Sequence, residues 1–151
     1  MNTSPGTYAI LLKNVSHRNI RVGRWKTLCF NKGYYLYIGS AFGPGGLRAR
    51  IGRHCRRQKV KRWHIDYLRE AADISRIWLE ASEAGREHDW AKALYGAEGF
   101  EPITGFGCSD CRCRAHLFFS SRRPRDGLMK TLLEGDIACY TAEDFTVPGK
   151  A

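Results

Sequence analysis

The chain contains no apolar run approaching the roughly 18 consecutive residues that a membrane helix needs, which argues against a membrane partner. Its opening residues, Met1-Asn2-Thr3-Ser4-Pro5, lack the basic start and apolar core of a secretory signal. A cytoplasmic location is therefore expected, where the six cysteines are better suited to metal binding or free thiols than to disulfides. Internal repeats and low-complexity segments are absent, and 151 residues is the size of one ordinary domain. Most telling is the shortage of acid in the first half. Residues 1–70 hold 15 Lys or Arg against only Asp66 and Glu70, whereas the remainder holds 10 bases against 13 acids. That asymmetry turns the first half toward a polyanion.

What is present alternates between strand and helix signals. Tyr8 to Leu12 is a short apolar run of strand length. Ile20 to Phe30 forms an extended stretch broken at Gly23, and Tyr34 to Ile38 is rich in strand-favouring aromatics. The turn Gly43-Pro44-Gly45-Gly46 ends that strand, and Leu47 to Cys55 turns helical with Leu47 and Ile51 one turn apart. Further helices are predicted over 62–72, over 83–94 and from Pro124 to Leu133, with strands over 73–79 and 115–120. The fold class expected is α+β: a small, largely antiparallel sheet flanked by helices. The domain spans residues 1–136, with a Cys-rich extension at 106–120 and a loose tail over 137–151.

The segment from Tyr37 to Lys61 concentrates the chemistry. A strand delivers Tyr37, Gly39 and Ser40, and the following helix sets Arg50 and His54 four residues apart on one face. Residues 47–62 carry eight bases and no acid, including Arg48, Arg53, Arg57 and Lys61. A guanidinium grips a phosphate through two parallel hydrogen bonds, and a nearby imidazole can position or move protons. The bland alternative is a basic surface helix with one exposed histidine.

Tyr37-Ile38-Gly39-Ser40 followed by Arg50 and His54 resembles the second half of the signature of the GIY-YIG nuclease family. Gly6-Thr7-Tyr8 resembles the first half, with threonine where the family has isoleucine, and Arg86 to Leu94 resembles the helix that carries its metal-binding glutamate. Details such as Trp63-His64-Ile65-Asp66-Tyr67 are similar to one uncharacterised stand-alone branch, sometimes fused to DNA-repair glycosylases. The resemblance implies an endonuclease that hydrolyses phosphodiester bonds, on DNA rather than RNA, in repair or processing. It implies that Glu87 holds Mg²⁺ or Mn²⁺, that Arg50 stabilises charge on the phosphate, and that Tyr8 or Tyr37 deprotonates the attacking water. His54 would orient or transfer protons, and Gly39, Ser40, Arg48, Arg53, Arg57, Lys61 and His64 would contact substrate. A tyrosine of ordinary pKa near 10 is a poor base at neutral pH, and Arg50 with a metal is expected to lower it. The resemblance also requires an inserted arm from Lys13 to Lys32, a hairpin through Ile20 to Phe30, because Tyr8 and Tyr37 lie far apart in the chain. The alternative is an inactive nucleic-acid-binding module on the same scaffold.

One motif stands outside this constellation. Cys108, Cys111, Cys113 and His116 offer three thiols and an imidazole within nine residues, and the CxxC spacing suits tetrahedral Zn²⁺. Small buried thiols at a tight turn, or a redox-sensitive pair, account for the same residues without metal. Trp63, Trp78 and Trp90 are read as core packing.

Overall fold

The computed structural model describes residues 3–106 and 115–146. Strands β1 (Gly6–Asn14), β2 (Arg18–Val22), β3 (Lys26–Phe30) and β4 (Gly33–Ala41) come first, followed by α1 (Gly46–Cys55) and α2 (His64–Arg69). Then come β5 (Asp73–Ala81), α3 (Glu87–Tyr95), β6 (Glu101–Pro102), β7 (Leu117–Ser120), α4 (Asp126–Leu133), β8 (Ala138–Tyr140) and a 3₁₀ turn, Ala142–Phe145. The main sheet runs β6-β7-β4-β1-β5-β8, with every paired neighbour antiparallel, while β2 and β3 form a separate two-stranded ribbon. The α+β class read from the sequence is the class observed.

β1 lies at the centre, and its register with β4 sets Tyr8 opposite Gly39 and Ile10 opposite Tyr37. Because successive side chains leave a strand on opposite faces, the Tyr8-to-Leu12 run splits into two cores. Tyr8, Ile10 and Leu12 join Leu47 and Ile51 of α1 and Ile65 and Leu68 of α2. Ala9 and Leu11 join Leu36, Ile38 and Trp78, covered by Trp90 and Leu94 of α3 and Met129 and Leu133 of α4. Helices on both faces explain why β1 is apolar throughout rather than alternating. Each fully buried side chain of this size contributes about 1.5–3 kcal/mol.

Several boundaries differ from the periodicity. The helix predicted from 83 begins at Glu87, because the Arg86 backbone N–H is bound by the Thr7 hydroxyl at 3.1 Å. The helix predicted over 62–72 contracts to α2, whose entry is held by the Asp66 carboxylate accepting from the backbone N–H groups of Arg62 and Trp63. The loose tail expected from 137 is corrected over its described part: Ile137 and Phe145 are buried, and β8 pairs with β5. Apolar contact and strand pairing anchor that segment where its own pattern was too short to read. The arm expected between the tyrosines is the β2–β3 ribbon, turning at Gly23 with φ of +52°. No helix among the described residues is long and apolar enough to cross a membrane.

Candidate active site

Leu47, Arg50, Ile51 and His54 occupy one stripe of α1, spaced three and four residues apart. Leu47 and Ile51 anchor that stripe on the sheet, which drives Arg50 and His54 toward the strand pair β1–β4. His54 is buried, and its Nε2 lies 2.7 Å from the Tyr8 hydroxyl. The Tyr8 ring packs over Gly39, where an added Cβ would collide with the phenol. Gly39 therefore makes room for Tyr8 itself, a correction to its expected role beside the substrate. The distant tyrosine that the arm separates from Tyr37 is brought back to it, with ring centroids 6.5 Å apart.

Arg50 links this buried pair to the surface. Its Nη1 donates to the Ser40 carbonyl at 2.9 Å, and its guanidinium stacks 4.6 Å from the Trp63 ring centroid. The Ser40 hydroxyl in turn donates to Glu87 Oε1 at 3.0 Å, while His116 Nδ1 stands 3.3 Å from Oε2. Three stretches far apart in sequence thus meet: the β1 and β4 tyrosines, the basic helix and the first residue of α3. Ser40 is the joint between the arginine and the carboxylate.

The electrostatics modify the expected chemistry. Burial, seconded by the neighbouring Tyr37, pushes the Tyr8 phenol well above its ordinary range, although Arg50 pulls the other way. Tyr8 is therefore a phenol at neutral pH, which corrects the expectation that Arg50 would lower its pKa. Desolvation outweighs one nearby cation. Burial also pushes His54 down to about 3, with Lys59, Arg53 and Arg50 adding to the effect against Asp66. The imidazole is neutral and able to accept the Tyr8 proton. Its other nitrogen, Nδ1, is buried without a hydrogen-bond partner. Such a group costs about 1–3 kcal/mol, and native folds keep few of them.

The bases expected to hold substrate divide sharply. Arg53 donates to both carboxylate oxygens of Asp66, at 3.0 and 2.8 Å, and stacks on Trp63. Arg57 is paired with Asp73 and Lys61 with Glu70. Those three are matched by acids that follow them in the chain, a correction to their assignment as free phosphate ligands. Arg48 is exposed and makes no ion pair among the described residues. His64 stacks on Trp25 of the arm's turn and meets Phe106 edge-on, and Phe106 meets Tyr37 likewise. It stands one ring removed from Tyr37 rather than beside the phenols, and burial lowers its pKa.

Glu87 is partly exposed at the head of α3, and among the described residues no cluster of three or more His, Cys, Asp or Glu is placed to hold a metal. A single carboxylate with a hydroxyl neighbour suits a hard divalent ion that keeps most of its waters and takes its remaining ligands from substrate phosphate. The donor set fits Mg²⁺ or Mn²⁺ in that limited sense. Cys108, Cys111 and Cys113 lie outside the described residues, while His116, expected among the zinc ligands, faces Glu87. His116 and the Trp63 platform were not legible as site members; no spacing rule relates residue 116 to residue 87. Trp78 and Trp90 are core, whereas Trp63 is half-buried among Arg50, Arg53 and Arg62.

A family model described as a domain of unknown function, DUF123, matches residues 7–135. No curated protein and no solved structure matches the chain.

Proposed function

The chain belongs to the DUF123 family, and we propose that its site hydrolyses phosphodiester bonds of nucleic acid, as a divalent-metal-dependent endonuclease acting on cytoplasmic DNA in repair or processing. The observation that carries this reading is the convergence of Arg50, the Tyr8–His54 pair and Glu87 through Ser40. Arg50 presents a guanidinium to a phosphate at the mouth of a pocket floored by two phenols. Water attacks phosphorus, the new P–O bond forms as the leaving P–O bond breaks, and the water's proton passes to the Tyr8 oxygen. Tyr8 releases its own proton to His54 Nε2, so that no phenolate has to persist in a buried site. The anionic phosphate offsets the positive charge of Arg50 that adds to the depression of His54, and so raises the basicity of the imidazole. Glu87 would hold a Mg²⁺ or Mn²⁺ ion, with Ser40 and His116 fixing the carboxylate, and the bound ion supplies Lewis acidity at the phosphate.

The test is cleavage of labelled duplex, branched and single-stranded DNA with Mg²⁺ or Mn²⁺. The expected outcome is metal-dependent cutting that Arg50→Ala and Glu87→Ala each reduce on the order of 100-fold or more, while binding largely survives. The raised Tyr8 pKa favours a second reading, a nucleic-acid-binding module without turnover. Wild-type protein that binds all these substrates and cuts none with either metal establishes that second reading instead.

A further inference from the structure

The β2–β3 ribbon has no part in the chemistry above, yet it is the most consistently cationic element left over. Arg18, Arg21, Arg24 and Lys26 are all exposed, and none has a carboxylate partner among the described residues. The contrast with Arg53, Arg57 and Lys61, each matched by an acid, is the first observation. The second is the ribbon's sidedness. Val22, Leu28 and Phe30 face the core, which leaves Asn19, Arg21, Thr27 and Cys29 on the outer face in register pairs Asn19–Cys29 and Arg21–Thr27. The third is rigidity of placement. Trp25 at the turn stacks on His64 at 5.2 Å and meets Phe106 edge-on at 5.5 Å, and Gly23 backs onto the Tyr67 hydroxyl. Phe106 continues to Tyr37 and Tyr37 to Tyr8, so one aromatic floor runs from the arm into the candidate site.

We infer that this arm is a docking element for B-form duplex DNA, entering the major groove beside the strand to be cut. A two-stranded ribbon fits the B-form major groove, about 12 Å wide, whereas the deep, narrow major groove of A-form RNA excludes it. Arg18, Arg24 and Lys26 would take phosphates along the groove walls, and the outward Arg21 and Asn19 present donor patterns suited to guanine and adenine edges. The placement is preorganised, so the arm loses little freedom on binding. The inference rests on the nucleic-acid reading above, but not on turnover.

The experiment uses the full chain and measures affinity against salt for duplex DNA, duplex RNA and single-stranded DNA of one length. Replacing Arg18, Arg21 and Arg24 together by alanine is expected to weaken duplex DNA binding and to lower its log–log salt slope by about 2.7, at about 0.9 per lost phosphate contact. Binding to the other two is expected to stay within about twofold, because only the B-form groove admits the ribbon. The corresponding triple lysine variant restores the slope, and because the side chains are exposed both variants keep the wild-type melting temperature. Equal losses on all three nucleic acids, or no loss on duplex DNA, overturn the arm's role. Arm-dependent duplex binding without cleavage overturns the nuclease reading alone. Cleavage unaffected in rate and affinity by the variant overturns the arm alone, and absence of any binding overturns both.

Discussion

On one face of the sheet α3 and α4 press Trp90, Leu94, Met129 and Leu133 against Leu11, Leu36 and Trp78, whereas on the other α1 and α2 bury His54, Asp66 and Arg69 among aliphatic side chains. Both faces are equally closed to water, but the first gains from burial alone and the second has to satisfy every ionisable group it encloses. Asp66 shows the cost being met: two bonds from Arg53 and two backbone N–H groups surround its carboxylate. His54 shows it left open, with Nδ1 unpartnered. The lesson is that one face is built for stability and the other holds a strained polar arrangement on which chemistry can act.

The contrast can be broken most forcefully at Asp66. Asp66→Ala is expected to cost about 4 kcal/mol in urea unfolding, since it strands Arg53 and uncaps α2. A loss below about 1 kcal/mol would mean that the polar face is as forgiving as a surface. On the other side, Leu133→Ala should cost about 3 kcal/mol through its cavity while leaving nucleic-acid affinity of the folded protein unchanged. A change in affinity there would show that the two faces are not separable. Gly39→Ala forces a methyl group against the Tyr8 phenol and is expected to destabilise by about 2 kcal/mol, with cleavage falling more steeply than stability.

The smallest effect is a pH dependence. His54 titrates near 6.5 when unfolded and is pushed down to about 3 by burial when folded, so the unfolded state takes up the proton first. Its contribution is therefore complete above about pH 6.5 and erodes as pH falls toward 3, by about 1 kcal/mol at pH 6. Thermal midpoints of wild type and His54→Gln between pH 8 and 5 check this; parallel curves for the two proteins would remove His54 from the account.

Much of the architecture was legible locally. The apolar run at Tyr8 to Leu12, the aromatic strand after Gly33 and the Leu47–Ile51 pair each report their own element, because periodicity is a property of neighbours in the chain. The arm was legible too, from the excess of chain between Tyr8 and Tyr37. Among the candidates, Tyr8, Arg50, His54, Ser40 and Glu87 come together as the resemblance implied. The start of α3 was not legible, because the Thr7 hydroxyl that binds the Arg86 N–H is 79 positions away.

By itself, then, the sequence determined the element types, the cationic first half and the candidate residues, all of which depend on composition and on spacing within one or two turns. Only the tertiary structure decided which cations are matched, by setting Asp66, Glu70 and Asp73 against Arg53, Lys61 and Arg57 while leaving the arm's bases bare. It also decided that Tyr8 stays protonated and that His116 faces Glu87. Coulomb attraction and desolvation act through space, over a few ångströms, and chain order carries no record of that distance.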